Sequence, residues 1–274
     1  MNCKSCGNTH QENFCPNCGE KKFHPGQLSL KHFVEETFEG FIHFDSKFFY
    51  TLKTLITKPG QLSLDYAEGR RIRSMRPVQF FLIINLLFFF LIMGHNLYSL
   101  SLDNYISYRP FTNYNTRQII KEKLAESKTT TNEYKHLFNE KITTESKEFI
   151  FLFIPFYGFI FYLLFFWKQK YFTTHLSFAA HFISFVLLWN LVSFWLITVP
   201  FYLITKVSYS EDFDSLVSLL TAIIIATYVA IAIRRFYKPH TFVAVLVALG
   251  IGATYFSFIQ YYRMALFFKI VYWS

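Results

Sequence analysis

Four cysteines are the residues of this chain whose type and spacing most directly specify chemistry. They form two pairs, Cys3-x-x-Cys6 and Cys15-x-x-Cys18, each followed at once by a glycine, Gly7 and Gly19. A tight turn of this spacing presents two thiolates together, and the glycine lets backbone N–H groups approach sulfur. Two such knuckles suit a tetrahedral, structural Zn²⁺ ion with Cys3, Cys6, Cys15 and Cys18 as ligands and no position left open for catalysis. The eight residues between Cys6 and Cys15 are enough for a short hairpin linking them. Disulfides are the rival chemistry, but a cytosolic segment keeps its thiols reduced. A redox role lacks the βαβ surroundings it would need. Beside four thiolates, His10 and His24 read as surface residues. A segment of about 20 residues cannot bury enough apolar area to fold unaided, so metal binding is expected to supply its folding free energy.

The second group with chemical potential is basic. Arg70, Arg71, Arg73 and Arg76 fall within seven residues, in the stretch Pro59–Pro77. They are candidates for holding an anionic lipid headgroup or a phosphate. General attraction to an anionic surface, about 1 kcal/mol per charge, also accounts for their presence. Convergence of Arg70 and Arg73 with Tyr66 or Lys58 on one concavity would mark a specific pocket. A third group comprises polar residues inside apolar runs: Asn85, His181, Asn190 and Gln260. Such residues are functional candidates by default, yet neutral ones mostly make interhelical hydrogen bonds. His43 and Asp45, two apart in a helix-to-helix corner, suit a metal or acid–base site or equally a turn. There is no phosphate-binding glycine loop, nucleophile motif or His-x-x-x-His pair on a span, so no catalytic residue is assigned.

The elements that must carry these groups are built for lipid. Of 274 residues, 53% are hydrophobic, 36 are Phe and only 16% are charged, against about 25% charged in soluble domains. Apolar runs of near-spanning length cover residues 78–97, 149–167, 176–204, 216–233 and 242–262, and none contains Asp, Glu, Lys or Arg. Met264–Ser274, ending in Tyr272-Trp273, reads as an interfacial anchor. Between the cysteines and the first run, Leu28–Thr57 is amphipathic. Leu30, Phe33, Val34, Phe38, Phe41 and Ile42 keep helical spacing, and a second helix is expected from Ser46 to Thr57, ended by Pro59-Gly60. These helices either pack on the spans or lie in the lipid interface; amphipathicity does not choose between the two.

The fold class expected is therefore an all-α integral membrane protein. It has about five transmembrane helices, an N-terminal cytosolic zinc ribbon over 1–25, amphipathic helices with a basic junction over 26–77, and a transmembrane domain over 78–274. Short-loop charge orients it. The arginine stretch, Lys168 with Lys170, and Arg234, Arg235 and Lys238 share one side if the N-terminus is cytoplasmic, while Glu211, Asp212 and Asp214 lie opposite. Residues 99–148, with eight Lys/Arg and seven acids, form an extracytoplasmic loop read as a solvated helical cap. Met1–Lys22 is polar, so no cleavable signal is expected and the first span serves as the targeting segment.

Three features occur together: the paired knuckles; His43-Phe-Asp45-Ser-Lys-Phe48-Phe-Tyr50-Thr51-Leu52; and Pro59-Gly60 through Tyr66 and Gly69-Arg70-Arg71 to Pro77. Over roughly residues 1–95 this resembles a bacterial family of zinc-ribbon, multi-span membrane proteins that is known only as a domain of unknown function. Met75 stands where that family often has an aromatic residue. The resemblance implies the bacterial cytoplasmic (inner) membrane and no known activity. Two functions follow from the residues: a non-catalytic, membrane-anchored interaction or scaffold protein that meets a protein partner through the ribbon, or a handler of lipid or a small anionic molecule. The expected partners are the bilayer, with its anionic lipids, and that protein. The net charge of +9 admits nucleic acid, but Met1–Glu20 carries one Lys against two Glu, so none is expected.

Overall fold

The computed structural model describes residues 2–24, 28–33, 47–92, 100–107, 111–127, 130–206 and 211–273, without the side chains of 127, 147–149, 211, 212, 214 and 256. Val34, Phe38, Phe41 and Ile42, the His43 and Asp45 corner and the Ser46 cap lie outside the described residues. Among those described, all regular structure is helical apart from two isolated bridges, Asn2 with Thr9 and Phe14 with Lys21. In chain order the helices are α1 Lys47–Thr57, α2 Gln61–Ala67, α3 Pro77–Leu91, α4 Leu102–Ser107, α5 Thr116–Ser127, α6 Thr131–Glu148 and α7 Phe153–Phe165. Then come α8 Phe172–Ser193, α9 Val199–Thr205, α10 Glu211–Tyr237 and α11 Thr241–Trp273.

Among the described residues, three helical stretches are long and apolar enough to cross a membrane: Phe172–Thr205, Ser215–Tyr237 and Thr241–Trp273. A fourth is reached if Thr131–Ser146 and Ile150–Phe165 count as one broken span. Of the first expected run, 93–97 lie outside the described residues, and the described part holds an apolar helix, Pro77–Leu91. The 34-residue stretch joins α8 to α9 through a π turn at Phe194–Thr198. Pro200 explains the turn: it lacks an N–H, and its ring crowds the carbonyl four residues back, so the hydrogen-bond ladder widens just before it. At the other end of the chain, the expected break between residue 262 and the anchor Met264–Ser274 is absent. α11 runs unbroken to Trp273, because no Gly or Pro follows Gly252 to interrupt it.

The chain forms two compact units. The first comprises Met1–Phe88 and Leu152–Gly252. At its centre is the N-terminal half of α8, where every residue from Thr173 to Leu187 is buried. That stretch is apolar or small apart from His175 and His181, as a helix enclosed on every side requires of most of its surface. α7 packs along it through Tyr157 on Phe182 and Phe161 on Phe178, and α10 through Phe185 stacked on Tyr228. Towards its far end the same helical stretch exposes Leu196, Leu203 and Ile204, the surface a lipid-facing helix needs. α1 and α2 close the bundle at the α8 N-terminus. Tyr228 Oη donates to the Leu55 carbonyl (3.1 Å) and the Arg235 guanidinium to that of Pro59 (2.7 Å). Gly60, at φ +80°, sits so close to α10 that a Cβ would stand 2.5 Å from the Ala232 carbonyl oxygen. The amphipathic helix α1 therefore packs on the spans through Phe48, Thr51, Thr54 and Leu55, leaving Phe49 and Ile56 exposed.

The second unit comprises Phe89–Phe151 and Ala253–Ser274. Its core is Tyr105, fully buried among Phe111, Phe138 and Phe267. Tyr105 Oη donates to the Arg263 carbonyl (3.0 Å), and Tyr262 Oη to that of Ser146 (2.6 Å). Thus the segment expected to be a solvated cap is packed on the C-terminal part of α11. The sparse large residues of 99–148 suffice because α11 supplies the rest of the core.

Candidate metal centre and basic junction

Each knuckle is built from the same two backbone hydrogen bonds. The N–H groups of Cys3 and Cys15 donate to the carbonyls of Asn8 and Glu20 (both 2.9 Å), and those of Gly7 and Gly19 donate back to Cys3 and Cys15 (3.0 and 2.8 Å). Gly7 and Gly19 both have positive φ, +77° and +74°, which turns the chain beneath the sulfurs at no cost to glycine. The four thiols converge. Cys3 and Cys18 Sγ are 3.6 Å apart, as are Cys6 and Cys15 Sγ, and all four lie within 4.8 Å of one another. Metal–sulfur bonds of about 2.3 Å in a tetrahedron give sulfur–sulfur edges of about 3.8 Å, so the donor set fits a four-thiolate metal site.

The thiols differ in how firmly they hold their protons. The Asn8 backbone and then the Asn17 side chain hold the Cys6 thiol down at about 6. Burial works against the Cys15 thiolate, but the N–H groups of Cys18 and Asn17 outweigh it and lower that thiol as well. At Cys18 the Glu20 N–H favours the charge, yet burial and the bonds with Cys6, Cys3 and Cys15 push it up to about 12. Four negative sulfurs are not sustained by the protein alone; a dication among them removes the repulsion.

The ribbon is attached to the arginine stretch by Glu20. This buried carboxylate, a single Oε2 atom, accepts from Ser5 Oγ (2.5 Å) and from the backbone N–H groups of Arg71 and Ile72 (3.0 Å each). Arg71 lies over the rings of Tyr66 (4.1 Å) and Phe23 (5.5 Å). Arg70 is engaged too: Nε and Nη2 donate to Asp65 Oδ1 (2.8 and 2.6 Å) and Nη1 to Glu68. Burial disfavours its charge, but Asp65 and Glu68 hold the guanidinium more firmly protonated than usual. Arg76 is half-buried, just before α3. Arg73 is exposed and, like Lys58, has no acidic partner among the described residues. Lys58, Arg70 and Arg73 line one cavity of about 320 Å³ together with Tyr50, Asp65 and the ribbon's Ser5. The concavity defined by the sequence criterion is therefore present, with Lys58 and not Tyr66 as the third member.

Among the polar residues inside the apolar runs, His181 shares a hydrogen bond of 2.9 Å between its Nδ1 and Ser63 Oγ. Both side chains are sealed, at 5% and 1% exposure, and the pair ties α2 to α8; His181 Nε2 is buried with no hydrogen-bond partner among the described residues. Asn85 is half-buried on α3, and its Oδ1 has no hydrogen-bond partner among the described residues. Asn190 is half-buried beyond the enclosed half of α8, and Gln260 belongs to the second unit.

Sequence reasoning missed Glu20, Ser63 and His175. His175 Nε2–H donates to the Gln169 carbonyl (2.9 Å). That leaves Nδ1 to accept from Tyr237 Oη (2.9 Å), so the start of α8 is fastened to the end of α10. A buried carboxylate directly after the second knuckle glycine was the available clue for Glu20. The other two are recognisable only from partners distant in sequence.

A family model described as a protein of unknown function (DUF3667) matches residues 45–89, a stretch well short of half the chain. The match includes α1, α2, the arginine stretch and most of α3; the four cysteines lie outside it. No curated protein and no solved structure matches the chain.

Proposed function

We propose that this chain is a non-catalytic, membrane-anchored interaction or scaffold protein whose zinc-loaded ribbon is a docked head, held against the cytosolic face of the membrane domain. The observation that carries this is the Glu20 attachment. It fixes the ribbon to the backbone of Arg71 and Ile72, so a partner that meets the ribbon meets the spans as well. Zinc is the metal because soft thiolates at tetrahedral separations select it over hard cations. A closed four-sulfur site supports folding and leaves no position for substrate. Elemental analysis of the purified protein should return one zinc per chain; iron or no metal would refute the assignment. A photocrosslinker at exposed Glu12 should capture one defined partner from intact cells, and only while the metal is bound. A folded, metal-loaded ribbon that captures nothing would end the scaffold reading.

The membrane is the bacterial cytoplasmic one, crossed five times, with the N-terminus inside. Support comes from the first unit, where Pro59 bonds to Arg235 and the Leu28 carbonyl to Thr173, bringing the short basic loops to the same end of the bundle as the arginines. Residues 99–148 and the C-terminal part of α11 share one unit, as an odd number of spans requires. Reporter fusions at the two ends should give opposite sides.

A second reading, handling of a lipid or small anion, is favoured by the cavity lined by Lys58, Arg70 and Arg73.

A further inference from the structure

We infer that the cavity between the ribbon, α1 and the arginine stretch is a binding site for a phosphomonoester, with Lys58 and Arg73 as its charged ligands. The inference rests on the anion-handling reading and names its ligand class and residues.

Charge accounting selects the ligand. Three cations and one carboxylate line the cavity, and Arg70 and Asp65 neutralise one another directly; Glu68, which takes another arm of Arg70, stands outside the lining and is 43% exposed, so water screens its charge from the cavity. Asp65 Oδ1 is further occupied by Gln61 Nε2 (2.9 Å), so it accepts from three donors and presents little uncompensated charge. What remains is Lys58 and Arg73, two cations without an acidic partner among the described residues. A phosphomonoester carries about −1.5 to −2 charges near neutral pH and offers three acceptor oxygens. A phosphodiester or carboxylate carries one charge and leaves a cation unmatched. Two hydroxyls, Tyr50 and Ser74, complete the wall as donors, while Ser5 also lines it but gives its proton to Glu20.

The site is also held rigid, which reduces the cost of ordering it around a ligand. Lys58 follows directly on α1, and the next two residues are fastened to α10 through the Arg235 bond to Pro59 and the close fit of Gly60 on Ala232. Ser5 is positioned by its bond to Glu20, and Glu20 by Arg71 and Ile72. At about 320 Å³ the cavity has room for a phosphate with a short polyol attached, which describes the headgroup of a phosphatidic-acid-type lipid or a free sugar or glycerol phosphate. A lipid source and a soluble source present the same chemistry, and the experiment separates them.

The test uses the full-length, metal-loaded chain in a neutral detergent, with affinities measured for four probes. Phosphatidic acid and phosphatidylglycerol form the lipid pair, and glycerol 3-phosphate and dimethyl phosphate the soluble pair. In at least one pair the monoester should bind about tenfold tighter than the diester, a little more than one extra surface charge supplies. The pair showing the preference identifies the source. Lys58→Gln with Arg73→Gln should abolish the preference, Lys58→Arg with Arg73→Lys should keep it, and Lys53→Gln, an exposed charge on α1 outside the cavity, should leave it unchanged. Circular dichroism and zinc content establish that each variant is folded. Equal affinity for monoester and diester, or a preference that survives the double glutamine variant, overturns the inference while leaving anion handling in place. Binding of none of the four probes overturns both.

Discussion

Two pieces of this protein lie outside its long apolar helices, and they are held together by opposite means. The N-terminal piece has scarcely any apolar core and instead four thiols within 4.8 Å of one another, a donor set compatible with one metal ion as its staple. The segment 102–146 has no cysteine. It builds a core around Tyr105, with Phe111 and Phe138 from its own sequence and Phe267 from α11. A short polar segment needs a staple or a borrowed surface, because alone it buries too little area to offset its conformational entropy. The ribbon takes the first route and the 102–146 segment the second. Each should fail without disturbing the other.

The largest effect expected is from metal removal. Chelation should cost the ribbon the binding free energy of its ion, about 10–16 kcal/mol for structural zinc, and acid should do likewise as protons compete for the thiolates. Hydrogen exchange should then become rapid across residues 2–22 while the amides of 102–142 keep their protection. Loss of protection in both would mean the two pieces are not independent. Next is Tyr105→Ala, which removes the centre of the aromatic core and should cost about 3–5 kcal/mol. It should expose 102–146 to proteolysis with zinc content unaltered. Tyr105→Phe, which only removes the bond to the Arg263 carbonyl, should cost about 1 kcal/mol.

Smaller again is Glu20→Gln. The amide replaces a carboxylate oxygen that accepts three bonds, and about 1–3 kcal/mol of ribbon attachment should go with it. The sign of this is faster exchange at the Arg71 and Ile72 amides with the metal still bound; unchanged exchange there would remove the basis for a docked head. The smallest is Lys269→Gln. Its bond to Glu145 (2.6 Å) is half-exposed, and its loss should shift thermal unfolding of the second unit by less than about 1 kcal/mol.

The same contrast accounts for what was legible beforehand. Knuckle geometry is local: two Cys-x-x-Cys pairs within sixteen residues bring four thiols together without any knowledge of the fold. The helical character expected of the cap over 99–148 is met by α5 and α6, stretches that contain no Gly or Pro. Their role was misjudged as solvated because half of the core they join comes from α11. Treating Met264–Ser274 as a separate anchor followed from its lone Lys269 and its terminal Tyr-Trp. In the structure that lysine is engaged by Glu145, so the charge does not mark the edge of a helix. The arginine stretch was visible as a basic patch, but its four members are not equivalent. Arg70 is neutralised by Asp65 and Glu68, Arg71 lies over Tyr66 and Phe23, and Arg73 faces a cavity.

By itself the order of residues determined where clustered thiols, chain reversal and apolar helices occur, since each depends on groups a few positions apart or on runs of one character. Only the tertiary structure decided which charges remain available. Glu20 reaches Arg71 across 51 residues, and Ser63 reaches His181 across 118. Whether a buried or half-buried polar group is spent or free depends on the partner standing within 3 Å of it. Spacing along the chain carries no record of that distance.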